Sequence, residues 1–288
     1  MKRAGLSLID VNGVYGKFAR GGAGFNTLGE KLASMDRLGV DRALVWNIDA
    51  QQNHPLASNQ KMFNDIMEGG PEVSERIIPS LAISGLIHYE HNGVESLREM
   101  MRLGNTRSLR YVNALGVSSI SQLEPVISQV SDLKPFLVLR HAEAPANDIV
   151  EFARMMPELP IVLTEIMWGA YIKVLDIMRR CPNVMIDTSW LHTMRVIEIA
   201  VSSFGSERVC FGLGSRSHNG ASIAELACAD ISEEERALIA HGNLNRLMGE
   251  QSVKSLVAEQ EKDESSFWEK CITGQKLGVE LIDAHAHI

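Results

Sequence analysis

This sequence lacks the features that mark disulfide-rich, membrane-spanning or nucleic-acid-binding proteins. Its four cysteines form no CxxC pair and no closely spaced framework, which favours reduced thiols in the cytoplasm over a disulfide scaffold. No apolar run reaches the roughly 18 residues of a membrane span, and residues 1–13 carry no signal-peptide core. The net charge of −8 comes without a cluster of Lys and Arg, so neither nucleic acid nor an anionic membrane is expected as a partner.

The apolar residues lie in short runs that alternate with amphipathic segments. The chain has 288 residues, of which 45% are hydrophobic, and this is enough for one large core. Eight runs have the composition of buried strands, and a helical pattern follows each of them. The runs are 6–11, 42–48, 76–83, 108–112, 135–139, 160–163, 184–187 and 209–211.

Eight strand–helix units predict an α/β fold in which helices cover a parallel sheet. A closed TIM (β/α)8 barrel takes about 250 residues. It is favoured over an open dinucleotide-binding sheet because no GxGxxG motif follows the first run. We therefore expect one barrel over residues 1–250. Residues 251–280 are polar and predict a solvated connector, and residues 281–288 form a further strand-like run.

That last run contains the sharpest motif, IDAHAHI at residues 282–288. His285 and His287 are two residues apart and would face the same side of a strand. Two such imidazoles can bind one divalent metal, which makes hydroxide available from a bound water. The tripeptide Leu-Ile-Asp at 281–283 repeats the one at 8–10, which suggests the first strand of a second barrel. A solvated tail, or donation of these His side chains to a neighbouring barrel, are the alternatives.

The IDAHAHI segment resembles the opening strand of the amidohydrolase-related metal-dependent hydrolases, which include decarboxylases of aromatic acids and lactone hydrolases. Residues 5–250 resemble the same family strand by strand. The segments that carry this resemblance are RHAE at 140–143, PIVLTE at 160–165, NVMIDTS at 183–189, FGLG at 211–214 and GNLNRL at 242–247. The resemblance implies a TIM barrel, a divalent metal such as zinc or manganese, and a small-molecule substrate.

The sequence departs from this family at most of the metal-ligand positions. Asn12 and Val14 stand where the family has two His residues in the first strand. Glu165 replaces a His of the sixth strand, and Gly214 replaces the Asp that is both ligand and general base in the eighth. His141 matches the metal-binding His of the fifth strand, and a carboxylate such as Glu165 can also ligate a metal. The candidate metal ligands are His141, Glu165, His285 and His287.

Other polar and aromatic residues fall at the carboxyl ends of the predicted strands, where (β/α)8 barrels hold their active sites. Arg110 would face the barrel interior if Leu109 faces outward. It could then bind a carboxylate through two hydrogen bonds, or pair with an acidic residue of the barrel. Trp46, Trp168 and Trp190 could line an apolar pocket or belong to the core. The candidate catalytic residues are His141, Glu165 and Arg110, and the candidate substrate-binding residues are Asn12, Trp46, Asp187 and His218.

Two functional hypotheses follow. The first is a hydrolase or decarboxylase of a small carboxylated substrate, with an altered or absent metal site, in which Arg110, His141 and Glu165 converge. The second is a non-catalytic pseudoenzyme barrel that binds a ligand or a partner catalytic barrel. A homo-oligomer or a second barrel domain is open as a partner in either case.

Overall fold

The computed structural model describes residues 6–17, 24–113, 118–214 and 219–249. Nine strand segments are present in this part of the chain, and every neighbouring pair is parallel. They are β1 Ile9–Tyr15, β2 Arg42–Asn47, β3 Ile77–Pro79, β4 Leu81–Ile83, β5 Ser108–Tyr111, β6 Phe136–Arg140, β7 Ile161–Thr164, β8 Val184–Asp187 and β9 Val209–Cys210. The predicted connector at 251–280 and the predicted strand at 281–288 lie outside the described residues.

Hydrogen bonds join these segments into one barrel. The strands β3 and β4 occupy a single barrel position that is interrupted at Ser80, whose backbone N–H donates to Val45 O at 2.9 Å. On the other side, the N–H of Val11 in β1 donates to the carbonyl of Phe211, just after β9, at 3.0 Å. The strands form a three-stranded sheet, β1 to β3, and a six-stranded sheet, β4 to β9, and these two bonds connect the sheets so that eight strand positions follow one another in chain order. The predicted α/β TIM (β/α)8 barrel is confirmed.

Helices follow the strands and cover the outside of the sheet. Thr27 caps α1 by accepting from the Glu30 N–H, and Gly39 ends it in a left-handed conformation. The predicted capping box at Ser232 and Glu235 is present at the start of α10. The helices are α1 Leu28–Leu38, α2 Pro55–Glu68, α3 Gly70–Arg76, α4 Gly93–Leu103, α5 Glu124–Gln129, α6 Ala146–Met155, α7 Trp168–Arg180, α8 Val196–Phe204, α9 Asn219–Cys228, α10 Glu233–Ala237 and α11 Asn243–Met248.

The first and third strands differ from the predicted runs. The strand β1 begins at Ile9 and continues to Tyr15, beyond the predicted end at residue 11. Apolar continuity missed this extension because Asp10 and Asn12 are polar residues buried within the strand. At the third position, Arg76 ends helix α3 and does not begin the strand.

The core consists of two apolar shells on either side of the sheet. Outward-facing strand residues such as Leu109 and Leu163 pack against the helices in the larger shell. The smaller shell fills the barrel interior with side chains that include Leu44, Phe136 and Met185. Among the described residues, no helix is long and apolar enough to span a membrane.

Candidate active site

Inside the barrel, the side chains near the carboxyl ends of the strands are polar, whereas the apolar ones lie deeper. On β5, β7 and β8 these are Arg110, Thr164 and Asp187, and all three are buried. Asn12 on β1 is buried as well. Because parallel barrel strands end at the same rim, the polar side chains meet at the face where (β/α)8 barrels carry their active sites.

Ser189 is the centre of a hydrogen-bond network at this rim. Its hydroxyl donates to the carboxyl of Asp187, with oxygen separations of 2.8 and 2.6 Å. The same oxygen accepts from the Glu165 backbone N–H at 3.0 Å and from the Asn12 amide at 3.3 Å. The Asn12 amide also lies 3.4 Å from Glu165 Oε1. The predicted residues Asn12, Glu165 and Asp187 are therefore brought together, through a serine that was not among the candidates.

Two residues at this rim hold a backbone conformation that L-amino acids rarely adopt. Glu165, directly after β7, has φ of 55°, and Trp190, three residues after β8, has φ of 66°. Such geometry is strained and persists where the surrounding structure fixes it, often at functional sites. The loops that follow β7 and β8 are thus held in place at some energetic cost.

Arg110 is the most unusual side chain of the polar layer. It is 1% exposed, yet its Nε and Nη2 atoms have no hydrogen-bond partner. Its Nη1 atom donates to Thr164 Oγ1 at a long 3.4 Å, and the guanidinium lies 4.9 Å from the centre of the Trp46 ring. Burial lowers the pKa of Arg110, although the nearby carboxylate of Glu143 opposes this effect. The unpartnered Nε and Nη2 are the adjacent pair of donors that grips a carboxylate with two parallel hydrogen bonds.

Glu143 does not accept a hydrogen bond from Arg110 Nε or Nη2, because its carboxylate is already bound by Arg140. Its carboxylate accepts from the Arg140 backbone N–H at 2.8 Å, from Nε at 3.2 Å and from Nη2 at 3.1 Å. Arg110 Nη2 lies 3.6 Å from Glu143 Oε2, which is an ion pair without a hydrogen bond. The guanidinium of Arg110 therefore has electrostatic compensation but keeps two unused donors.

His141 follows β6 and lies at the same rim. Its backbone N–H donates to Thr164 O at 3.1 Å, and its side-chain Nδ1 is buried without a partner. Burial lowers the pKa of His141, while the backbone groups of Thr164 and Glu165 and the Glu165 carboxylate oppose the shift. The imidazole is therefore biased toward its neutral form, which can accept a proton.

Asp187 and Asp10 are both fully buried, but the contacts of their carboxyl groups differ. Lys31 of α1 reaches Asp10 Oδ2 with its ammonium at 2.9 Å, and the backbone N–H groups of Asn12 and Leu213 also donate to Asp10. Burial raises the pKa of Asp187 well above its ordinary value; Glu165 and Asp10 add to the rise, and the Ser189 hydrogen bonds oppose it. Asp10 thus contacts a buried ammonium, whereas the pKa shift of Asp187 biases that group toward the protonated acid.

Sequence reasoning missed several of these groups. Lys31 lies between Leu28 and Leu32 on a helical face that is otherwise apolar, and that interruption was the signal for a buried cation. Glu143 belongs to the RHAE motif, but its partnership with the preceding Arg140 needs the turn after β6. Of the aromatic candidates, Trp46 is buried against Arg110, whereas Trp168 is 73% exposed at the start of α7. The candidates His218, His285 and His287 lie outside the described residues.

The described residues do not fit the divalent metal that the family resemblance implies. Within that part of the chain, no group of three or more His, Cys, Asp or Glu side chains is placed to hold a metal ion. His141 and Glu165 alone give fewer than the three protein ligands of an ordinary catalytic zinc site. Gly214, at the position of the family's Asp ligand, has no side chain to contribute. A metal held by His141 and Glu165 with His285 or His287 stays a prediction.

Comparisons with known proteins agree with the barrel. Residues 140–249 match the family model described as amidohydrolase, and no curated protein matches the sequence. The fold is similar to that of 2,6-dihydroxybenzoate decarboxylase complexed with 2,6-dihydroxybenzoate, at 14% identity over 85% of this chain and 98% of that chain, with a TM-score of 0.67. It is also similar to 5-carboxyvanillate decarboxylase from Sphingomonas paucimobilis, at 14% identity over 85% and 100% of the two chains, with a TM-score of 0.64.

A third similar structure contains a metal. It is 5-carboxyvanillate decarboxylase from Novosphingobium aromaticivorans complexed with manganese and 4-hydroxy-3-methoxy-5-nitrobenzoic acid, at 10% identity over 86% of this chain and 97% of that chain, with a TM-score of 0.67. At such identities the solved structures establish the shared fold. The chain therefore matches the amidohydrolase family model over residues 140–249 and shares the barrel fold of these decarboxylases.

Proposed function

We propose that this barrel binds a small carboxylated substrate at Arg110 and acts on it as a hydrolase or decarboxylase with an altered or absent metal site. The observation that supports this most directly is the buried Arg110 guanidinium, whose Nε and Nη2 donors have no partner. A buried donor without a partner costs about 1–3 kcal/mol, so a ligand carboxylate that accepts from both Nε and Nη2 would recover that cost. Decarboxylases of small aromatic acids are among the proteins that share this fold.

The Arg110 site restricts which carboxylate can react. A guanidinium that grips a carboxylate stabilises the charged ground state, and this slows the departure of that same group as uncharged CO2. The carboxylate at Arg110 is therefore one that stays on the substrate. Decarboxylation at this site requires a second carboxylate on the same molecule, whereas hydrolysis requires a single one beside the bond that is cleaved.

His141 is the proposed proton carrier. Its buried, unpartnered Nδ1 and lowered pKa give a neutral base near pH 7. In hydrolysis it would accept a proton from the attacking water. In decarboxylation it would first take up a proton from solvent and then transfer that proton to the carbon from which CO2 departs. Glu165 lies close enough to influence the His141 pKa, and its proposed role is to stabilise the imidazolium that forms when His141 takes up a proton.

The test combines ligand binding with turnover. The binding of 5-carboxyvanillate, its monomethyl esters, 2,6-dihydroxybenzoate and the full methyl esters is measured by calorimetry, and the loss of substrate is followed by ultraviolet absorbance. The dicarboxylate tests decarboxylation, the monoesters test hydrolysis, and 2,6-dihydroxybenzoate tests binding of a single carboxylate. We expect binding of the free acids and not of the full esters. Replacing Arg110 by Met should weaken acid binding by about 10-fold or more, since charge-assisted hydrogen bonds contribute about 1.5–3 kcal/mol. Arg98→Met, which removes a surface arginine paired with Asp132, should bind as the wild type does.

Each outcome has a distinct meaning. Turnover of an acid that is abolished by His141→Gln while binding persists would support the enzyme. Binding that depends on Arg110, with no turnover of any member of the panel, would favour the non-catalytic barrel. If acids and esters bind equally in the wild type and in Arg110→Met, the proposal that Arg110 binds the carboxylate is wrong.

A further inference from the structure

We propose that the indole of Trp190 fills the space that a metal ligand at position 214 would need, so that this barrel excludes a divalent cation from the family's metal position. The inference concerns the same rim as the proposed function. It does not depend on turnover, because it predicts the metal content of the protein.

The geometry around Gly214 carries the argument. A Cβ atom at Gly214 would lie 3.0 Å from both Cδ1 and Nε1 of the Trp190 ring and 3.1 Å from the Ser189 Cβ. Carbon atoms pack at about 3.5–4.0 Å, so even the first atom of a side chain is crowded there. An aspartate has two further shells of atoms to accommodate. The ring is the stronger obstacle, because aspartate tolerates the left-handed backbone of Gly214, with φ of 66°, better than most residues do.

The two first-strand positions are committed to other contacts. The Asn12 amide donates to Glu165 Oε1 and Ser189 Oγ, which engages it within the polar network. Val14 belongs to a small apolar cluster with Trp46 and Val112 at the barrel mouth. The space near the missing ligands is thus occupied by packed and hydrogen-bonded side chains of the chain itself.

Charge gives a second, independent reason. The rim already contains the cations Arg110 and Arg140, and Lys31 neutralises Asp10 at 2.9 Å. A divalent cation loses its hydration on entering a site, and nearby positive charges that no free carboxylate offsets oppose its binding. Here the carboxylate of Glu143 is bound to Arg140, and it lies 3.6 Å from Arg110. An added metal would meet repulsion from guanidinium groups whose counter-charges are already in use.

The test rebuilds the missing ligands with and without Trp190. One variant carries Asn12→His, Val14→His, Glu165→His and Gly214→Asp, and a second carries the same four changes with Trp190→Gly. Glycine is chosen because it adopts the left-handed backbone of residue 190 without strain. Each protein is incubated with Zn2+ or Mn2+ and dialysed. Its metal content is then measured by elemental analysis, and its melting temperature with and without metal.

We expect wild-type protein and the four-fold variant to retain less than about 0.1 metal per chain, and the five-fold variant to approach one, with a melting temperature that rises on metal addition. Near-stoichiometric metal in wild-type protein, lost in His141→Ala, would overturn the proposal. Equal metal content in the four-fold and five-fold variants, whether high or low, would also overturn it, because Trp190 would then make no difference.

A metal-free measurement covers the case in which the multiple variants do not fold. Gly214→Asp is compared with Gly214→Asp combined with Trp190→Gly, and each is referred to its own parent. If the ring fills the space, Gly214→Asp should lower the melting temperature by several degrees when Trp190 is present and by clearly less when it is absent. Equal shifts in the two backgrounds would count against the proposal. Neither result bears on acid binding at Arg110, so failure of this inference is distinguishable from failure of the proposed function.

Discussion

Replacing Arg110 by Met tests whether this buried guanidinium is maintained for a ligand or for the fold. Methionine matches the arginine side chain as far as Nε and has no charge, so it keeps the packing of the aliphatic stem. The change removes an ion pair with Glu143 at 3.6 Å, a long hydrogen bond to Thr164 and the contact with the Trp46 ring. It also removes a buried charge and two donors that have no partner.

The opposing free energies nearly cancel. At an effective dielectric constant of about 20, the attraction to Glu143 is about 4–5 kcal/mol, and a desolvated cation–π contact adds about 2 kcal/mol. The long bond to Thr164 adds about 1 kcal/mol. Against this, burial of the ion, including its two donors without partners, costs several kcal/mol. Glu143 is not left alone, because Arg140 still holds it through three hydrogen bonds. We therefore expect the free energy of unfolding to change by no more than about 2 kcal/mol.

The assay is urea unfolding followed by circular dichroism, with acid binding measured on the same samples. Arg208→Met is the matched control, since Arg208 also lies beside an aromatic ring, that of Phe204, at 5.2 Å. Its guanidinium, however, donates to the carbonyls of Met178, Cys181 and Val184. Losing those bonds should cost about 3 kcal/mol or more. A loss above about 4 kcal/mol in Arg110→Met, the range seen when a needed buried pair is broken, would refute the reasoning, particularly if acid binding survived.

Three further predictions concern stability. Asp10→Asn should lower the free energy of unfolding by about 3–5 kcal/mol in urea titrations, because the buried Lys31 ammonium loses the carboxylate that it contacts at 2.9 Å. Adding Lys31→Met should recover part of that loss, and no recovery would mean that the pair is uncoupled. Burial raises the pKa of Glu225 from 4.5 to about 7. The folded state therefore binds more protons between these pH values, and this contribution to stability is present below about pH 4.5 and is lost as the pH rises through 7. Glu225→Gln should flatten the dependence and be more stable than wild type at pH 8, as thermal melts across pH will show; parallel curves would contradict this. Ser232→Ala should cost about 1 kcal/mol by removing the bond to the Glu235 N–H, and an unchanged melting temperature would show that the cap does not contribute.

The barrel was predictable because its evidence is spread along the whole sequence. Eight apolar runs separated by helical patterns leave few arrangements that bury every strand. The errors arose where polar residues enter the barrel interior, as Asp10 and Asn12 do in β1. There a buried strand stops looking apolar, because its side chains are satisfied by partners far away in the chain. Lys31, for example, is 21 residues from Asp10.

The site was predictable only in part, for a related reason. The family motifs point to His141, Glu165 and Asp187 because these residues fall at the ends of strands. They do not show that Ser189 links Asn12 to Glu165 and Asp187, since a serine after a strand is ordinary in sequence. Nor do they show that Trp190 lies against Gly214, which depends on the left-handed backbone of both residues. Pairings across the barrel rim are decided by loop geometry, to which a single sequence gives little access.

Since no cluster of metal-ligating side chains is present among the described residues, other contacts must fix this rim. In a metalloenzyme, coordination bonds hold the ends of several strands at one point. Here the Ser189 hydroxyl performs a comparable task, since it accepts from Glu165 and Asn12 and donates to Asp187. The network ties β1, β7 and β8 together and compensates for the strained backbone of Glu165, a cost of about 1–3 kcal/mol. A rim fixed in advance loses less conformational freedom when a ligand arrives. The Nε and Nη2 donors of Arg110 then lie at a rim of fixed geometry. This favours selective binding of a carboxylate whether or not a chemical step follows.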